Sequence, residues 1–184
     1  MHPISHWKTV THHRRLVREY CFRLGLKWQG LTHDLSKYSP REFWTGAKYY
    51  QCWRSPNDAE RRATGVSMAW LHHKGRNRHH FEYWIDYVLA PDGTVSFGGC
   101  RMPMRYVAEM FCDRVAASRV YLKEKYTDAS PWEYFVSGPP GVMMHPDTTE
   151  ELKEMLLILK ARGEEAAFRH VRERLKKSRE DKSF

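Results

Sequence analysis

The sequence lacks the features that would mark a membrane, secreted or zinc-finger protein. No stretch approaches the roughly 20 consecutive apolar residues that cross a bilayer, and the N-terminus, MHPISHWKTV, has no apolar core of a secretory signal. The four cysteines, at positions 21, 52, 100 and 112, form no CxxC pair. These absences predict a cytoplasmic protein with reduced thiols and no membrane partner.

The chain also lacks internal repeats, low-complexity tracts and any obvious break in composition. Its 184 residues are enough for one domain with a single hydrophobic core. The content of 41% hydrophobic and 14% aromatic residues argues against disorder. We therefore expect a single domain that spans residues 1–184.

The charge of the chain is unbalanced towards basic residues. With 31 basic and 22 acidic residues, its formal net charge is +9 at pH 7. Such an excess favours anionic partners, such as nucleotides, nucleic acid or phosphorylated metabolites. Part of it lies in the final segment RHVRERLKKSREDKSF, and a charged terminal helix is usually a solvated face. Charge thus supports an anionic partner without identifying it.

Apolar residues recur at helical spacing along most of the chain, which predicts an all-α fold. The segment APDGTVSFGG combines a Pro-Asp-Gly turn with β-prone flanks, so one short β-hairpin is expected near residues 87–98. Residues 55–63 fit either a helical turn or a loop. Helices are expected over residues 6–25, 40–50, 66–74 and 79–89, from 103 to about 125, and in a C-terminal segment, about 145–184, that is divided at Gly163.

Histidines are the most informative residues in the sequence, because the chain has 11 of them and most are clustered. In the stretch LTHDLSKYSP, His33 is followed directly by Asp34 in an apolar setting. Imidazole nitrogens together with carboxylate oxygens bind Zn, Fe, Mn, Ni or Co. At a bent helix end two neighbouring side chains can converge on one ion or on two, and metal binding would offset the cost of placing Asp34 among leucines.

The order of these residues resembles the HD-domain superfamily of metal-dependent phosphohydrolases, which are helical proteins. Their signature is a first histidine, an HD doublet and a distal aspartate. His13 matches the first histidine, His33 and Asp34 match the doublet, and Lys37 matches the lysine of the usual HDxxK form. Asp113, in EMFCDRVAAS, matches the distal aspartate. The resemblance spans about residues 6–120.

The stretch HHKGRNRHHFEYW resembles a little-characterised bacterial and phage branch of HD-like proteins with an H-x3-N-x-HH-x-E pattern. His73, Asn77, His79, His80 and Glu82 fit that pattern. Members with such additional histidines often have a binuclear site. The resemblance therefore implies two divalent transition-metal ions, in a metal-site core over about residues 6–125 with a C-terminal helical extension over about 145–184.

The same resemblance implies a reaction and roles for individual residues. A metal-activated water would attack the phosphorus of a nucleotide or another small phosphoester, with Asp34 as ligand and catalytic residue. Lys37 would act in catalysis by binding the phosphate, and Arg76 or Arg78 would help to bind the substrate. Glu82 would orient a ligand histidine or act as a catalytic acid or base.

Some ligand assignments stay open at this stage. His12 and His13 are neighbours, as are His72 and His73, and only one of two neighbours on a helix normally faces inward. The spacing between the first histidine and the doublet is shorter than in many HD proteins, which keeps His6 as a remote candidate. Glu109, one helical turn before the distal aspartate, is a weaker candidate of the same kind.

Two other function classes fit the same residues. A few HD-fold proteins use a di-iron site with this ligand set to activate oxygen, and a requirement for O₂ would distinguish them. The chain could also be a basic nucleic-acid-binding module with a structural metal, in which RHVRERLKK contacts phosphates. The positive charge and the arginines beside the histidines favour the phosphohydrolase.

Overall fold

A computed structural model describes residues 1–138 and 143–180, so residues 181–184 of the expected C-terminal extension lie outside the described residues. The described chain is mostly α-helical with one two-stranded hairpin, which confirms the predicted fold class. None of its helices is both long and apolar enough to traverse a bilayer. The helices, numbered in chain order, are α1 Pro3–Arg23, α2 Lys27–Thr32, α3 Pro40–Lys48, α4 Pro56–Thr64, α5 Met68–Lys74, α6 Met104–Leu122, α7 Ser130–Val136 and α8 Pro146–Glu180, with short 3₁₀ helices at Leu35–Tyr38, Phe81–Trp84 and Lys123–Lys125.

The hydrophobic core lies between α1, α6 and α8. On α6 the fully buried Val107, Phe111 and Val115 follow one another at intervals of four, the spacing that places side chains on one helix face. The ring of Phe168 on α8 lies 5.3 Å from that of Tyr20 on α1 and 5.6 Å from that of Phe111. Burial of this apolar surface is the main force that holds the three helices together.

Gly163 divides α8 into two helical pieces, as the sequence predicts. Its backbone has φ 80 and ψ 174, a conformation that glycine adopts without the strain it imposes on other residues. Glu164 follows the kink and accepts a 2.7 Å hydrogen bond from the guanidinium of Arg119 on α6. It also forms an ion pair with Arg23 on α1. The carboxylate after the kink therefore links α8 to both α1 and α6.

The predicted hairpin is present, and it replaces part of a predicted helix. Strand β1, Ile85–Leu89, pairs antiparallel with β2, Val95–Gly99. The helix expected over residues 79–89 is therefore wrong in its second half, and a 3₁₀ helix precedes the strand. The backbone N–H of Ala90 donates a 2.8 Å hydrogen bond to the carbonyl of Thr94 across the turn. Cross-strand pairing outweighs the local helical spacing of the apolar residues.

Two further helices extend the sequence-based description. Of the two alternatives for residues 55–63, the helical one is observed, as α4. Helix α7 was not expected from the sequence, although Pro131 at its start is a recognised signal for the first helical turn.

The substitution Phe168→Ala tests the packing of α8 against α1 and α6. Because the ring is fully buried against two other aromatic rings, we expect the free energy of unfolding to fall by about 3–5 kcal/mol. Chemical denaturation measures this change. The matched control is Leu157→Ala on the same helix, where the side chain is 44% exposed and the effect should be within about 0.5 kcal/mol. Equal effects of the two substitutions would contradict the packing.

Candidate metal centre

The candidate centre is built around a sharp turn between α2 and the following 3₁₀ helix. His33 leaves the end of α2 with φ −48 and ψ 124, and Asp34 then adopts a left-handed conformation, with φ 52 and ψ 27. Left-handed backbone costs roughly 1–2 kcal/mol in residues other than glycine, less in aspartate, and is concentrated at functional sites. The turn directs the side chains of two sequence neighbours towards the same interior point, which a regular helix or strand does not allow.

Arg14 on α1 holds this turn in place. Its Nε donates a 2.7 Å hydrogen bond to the carbonyl of His33, and its Nη2 donates a 3.2 Å bond to the carbonyl of Leu31. The last carbonyls of a helix have no partner within the helix, so the guanidinium satisfies groups that the turn leaves open. Sequence reasoning missed this role, because no local pattern marks which arginine of a basic helix reaches another helix end.

The first group of candidate ligands joins α1, the turn and α6. His13 Nε2, His33 Nε2 and one carboxylate oxygen each of Asp34 and Asp113 lie within 4.8 Å of one another. The separations between imidazole nitrogen and carboxylate oxygen run from 3.0 Å for His13 Nε2 and Asp113 Oδ1 to 3.8 Å for His13 Nε2 and Asp34 Oδ2. Tetrahedral ligands about 2.0–2.1 Å from a common ion are separated by roughly 3.3–3.4 Å. The group therefore has the dimensions of a metal site.

The second group joins the same turn to α5 and the segment that follows it. Asp34 Oδ1 lies 3.1 Å from His73 Nε2 and 3.4 Å from His79 Nε2. His80 completes the group, with its Nε2 2.9 Å from that of His73. All four ligand atoms are within 4.8 Å of one another. The two groups share only Asp34, which presents Oδ2 to the first and Oδ1 to the second.

The burial of Asp34 supports metal binding. Its side chain is 0% exposed, and neither carboxylate oxygen receives a hydrogen bond of normal geometry. Lys37 Nζ lies 2.6 Å from Oδ2 and forms an ion pair with it, but the angles of this contact are not those of a hydrogen bond. His79 Nε2 is also buried and has no hydrogen-bond partner in the part of the chain that the structure describes. Buried polar groups normally have partners, and a divalent cation would satisfy these oxygen and nitrogen atoms. The donor set thus fits one or two metal ions.

Glu109 on α6 orients one histidine of each group. Its Oε1 lies 3.0 Å from His33 Nδ1 and 3.1 Å from His79 Nδ1. An Nδ1–H that donates to a carboxylate leaves the Nε2 lone pair free for a metal ion and fixes the ring orientation. Burial alone would raise the pKa of Glu109, but the two hydrogen bonds lower it overall. Glu109 is therefore ionised and accepts from the Nδ1 atoms of two candidate ligands. Its Oε1 and those two Nδ1 atoms also lie close enough together to form a third potential ligand group.

Glu42 on α3 plays the same part for α5. Its Oε2 lies 2.8 Å from His73 Nδ1, and its Oε1 lies 2.6 Å from His72 Nδ1. Ser36 donates to Glu42 Oε2 at 3.1 Å, and Asn77 donates to Ser36 Oγ at 2.9 Å. The asparagine of the H-x3-N-x-HH-x-E pattern is therefore part of the support of a ligand histidine. Sequence reasoning missed Glu42 and Ser36.

Neighbouring charges determine the direction of the pKa shift for some members of the centre, and burial determines it for others. Burial lowers the pKa of His33, but nearby carboxylates, Asp34 foremost, raise it well above its usual value. Burial raises the pKa of Asp34, but His33 and Lys37 hold it well below its usual range, so this carboxylate is ionised. Burial lowers the pKa values of His13 and His80, which keeps both imidazoles neutral, the form that binds metals.

The structure resolves the adjacent histidine pairs. His13 is buried at the centre while His12 is exposed on the outer side of α1. His73 belongs to a ligand group. His72 belongs to none of the groups and contacts Glu42 through its Nδ1. His6 belongs to neither group and packs against aromatic rings of α3 and Tyr50.

The two predicted substrate arginines lie apart from the ligand groups. Arg76 is exposed and donates to the carbonyl of His72 at 3.1 Å. Arg78 is exposed and donates to the hydroxyl of Tyr106 at 3.3 Å. Within the described residues, neither guanidinium lies within 4.0 Å of a carboxylate of the centre. Their contact with substrate stays a prediction.

Glu82 is partly buried beside the histidine segment, and burial raises its pKa. Across residues 1–138 and 143–180, the carboxylates that hydrogen-bond the ligand imidazoles at Nδ1 are Glu42 and Glu109. A role of Glu82 as acid or base stays a prediction.

Comparison with known proteins places the chain in a family. The model of a family of unknown function, DUF5662, matches residues 2–158. The chain belongs to DUF5662. The part that matches DUF5662 contains every residue of the ligand groups, together with Glu42 and Glu109. No curated protein and no solved structure matches the chain. Membership of DUF5662 specifies no reaction, so function has to be argued from the geometry of the centre.

Glu109→Gln tests whether this carboxylate orients the ligands. Loss of its charge should weaken metal binding about 10- to 100-fold, because the neutral amide oxygen of glutamine is a weaker acceptor for His33 and His79 and no longer raises the basicity of their rings. A competition titration against a chromophoric chelator measures the affinity. Glu19→Gln, an exposed carboxylate on α1, is the matched control and should leave the affinity unchanged. Equal affinities in both variants would remove Glu109 from the centre.

Proposed function

We propose that this protein is a metal-dependent phosphohydrolase of HD type that uses two divalent transition-metal ions to cleave a nucleotide or another small phosphoester. The observation that carries the proposal is the buried carboxylate of Asp34, whose two oxygens belong to two separate ligand groups. A carboxylate shared in this way is typical of a site for a pair of ions. The other candidate ligands come from α1, the turn after α2, α5, the segment after α5, and α6, in the chain order of the resemblance.

The donor set and the charges of the centre support hydrolysis of a phosphoester. Divalent ions bound by these residues would supply Lewis acidity, which lowers the pKa of water and neutralises phosphoryl oxygens. Glu42 and Glu109 keep the Nε2 atoms of the ligand imidazoles directed inward. Lys37 is 27% exposed, so its ammonium group can contact both Asp34 and an anion that enters the centre. Such a cation binds phosphate as a point charge.

Oxygen activation at a di-iron site would use the same imidazoles and carboxylates. Lys37 favours the phosphohydrolase, because a fixed ammonium group beside the shared carboxylate matches a negatively charged substrate. Turnover of phosphoesters by protein purified and assayed without oxygen would support hydrolysis. A strict requirement for O₂ would support the oxidative alternative.

Asp34→Ala tests the proposal directly. We expect loss of most of the bound metal and a fall in phosphoester turnover of at least about 100-fold, since both ligand groups lose their shared member. Helical content should be largely retained. Metal analysis after purification without chelators, circular dichroism and a screen of nucleotides and cyclic dinucleotides give the three measurements. Asp86→Ala, an exposed aspartate on β1, is the matched control. Full turnover in Asp34→Ala would end the proposal.

Lys37→Met separates substrate binding from metal binding. A hydrogen bond to a charged group is worth about 1.5–3 kcal/mol, so we expect KM to rise roughly 10- to 100-fold while metal content is retained. Steady-state kinetics and metal analysis on the same preparation provide both values. Lys8→Met, on the exposed face of α1, is the control. If the Lys37 variant loses its metal, the residue supports the ligands and does not bind the substrate.

A further inference from the structure

A second concave site lies at the other end of α2 from the metal centre. An open cavity of about 580 Å³ is formed where the start of α2, the start of α6 and the end of α8 meet. This volume is within the range of about 300–1,000 Å³ that is usual for small-molecule sites. None of the candidate metal ligands lines it. The first residue of α2, Lys27, lines the cavity, whereas the metal centre begins directly after the last residue of α2, Thr32.

All charged residues in the described lining of this cavity are cationic. Lys27, Arg105 and Arg179 line it, and no carboxylate of residues 1–138 or 143–180 does. Elsewhere arginines pair with glutamates, as Arg119 does with Glu164. Among the described residues the three cations of the cavity have no such partner, and the guanidinium of Arg105 instead lies 4.9 Å from the ring of Tyr106. Three cations that converge from three helices raise the local potential and attract anions.

The cavity also offers an aromatic surface. Trp28 lines it and is 73% exposed, an unusual state for the largest apolar side chain. Leu26 and Met104 line it as well and are 3% and 7% exposed, so they give it an apolar floor. An exposed indole beside cations is the combination with which proteins stack a nucleobase and hold its phosphate. Gln29 adds an amide that can both donate and accept hydrogen bonds.

We propose that this cavity binds a nucleoside phosphate unit. The phosphate contacts Lys27, Arg105 and Arg179, and the base stacks on Trp28. This ligand chemistry has two sources, a free nucleotide and a unit of a single-stranded nucleic acid. The site is independent of the proposed phosphohydrolase reaction, because it shares no residue with the metal centre.

Binding assays with two probes test the site. The probes are a fluorescent ATP analogue labelled on its ribose and a fluorescein-labelled oligothymidine of 12 nucleotides, and fluorescence anisotropy at low salt in the presence of EDTA measures their affinity. Both are titrated into the intact protein and into Asp34→Ala. Binding that persists in Asp34→Ala belongs outside the metal centre, so the result stands whether or not the proposed hydrolase activity is found. Tighter binding of the ATP analogue would identify a nucleotide site, and tighter binding of the oligonucleotide a strand site.

Charge reversal identifies the residues involved. Lys27→Glu and Arg105→Glu should each weaken binding of the better probe at least about tenfold and reduce its salt dependence. Lys8→Glu is the control and makes the same charge change far from the cavity. Lys8 lies roughly 22 Å along α1 from Arg23, the last residue of that helix before the cavity, at 1.5 Å per residue. This variant should change the affinity less than about twofold. Arg105→Gln keeps the test valid if a charge-reversed variant fails to fold, which circular dichroism reports.

Removal of the indole tests the stacking. Trp28→Leu should weaken binding about 5- to 150-fold, the range found when an aromatic residue that stacks on a base is removed. Trp44→Leu, which also removes an exposed indole, should have little effect. The inference is overturned if neither probe binds, if Asp34→Ala abolishes binding, or if the control variants weaken binding as much as those in the cavity.

Discussion

The buried carboxylate of Asp34 is the constraint on which the rest of the centre depends. An isolated carboxylate with no solvent exposure would cost several kcal/mol, so positive or donating groups have to surround it. The turn brings Asp34 inward through a left-handed backbone conformation, and α1, α5 and α6 each supply a ligand within 4.8 Å. His13 on α1 and His73 on α5 supply part of this compensation, whereas Asp113 on α6 adds a second negative charge that a cation between the two carboxylates would offset. The positions of α1 and α5 and the ionisation of one side chain are therefore linked.

Helix α6 connects this electrostatic requirement to the hydrophobic core. Val107, Phe111 and Val115 are fully buried in the core, while Glu109 and Asp113, four residues apart, face the centre. Residues separated by four lie one above the other on a helix, so one face of α6 packs on α1 and α8 and another carries a ligand and an orienting carboxylate. Core packing thus determines where these two carboxylates lie.

The sequence marked the candidate ligands but little of what supports them. His13 shares the spacing of the buried Val10 and Val17, so its inward position follows from helical periodicity. The HD doublet and the HHKGRNRHH stretch predicted the other ligands through their order. Glu42 and Arg14 have no such mark, because their roles arise only when α3 approaches α5 and α1 approaches the end of α2. The strand at residues 85–89 was missed in part for the same reason, since pairing with residues 95–99 decides its conformation.

The charges of the centre fit the anionic substrate that we propose. Four carboxylates surround the ligand imidazoles, those of Asp34, Asp113, Glu42 and Glu109. Two divalent ions would balance these four negative charges, and the ammonium group of Lys37 would then leave the centre with one positive charge. In a site this buried, such a charge is favourable only when an anion accompanies it. A bound phosphoester would supply that anion, and in its absence a hydroxide formed from a metal-activated water would balance the charge of Lys37.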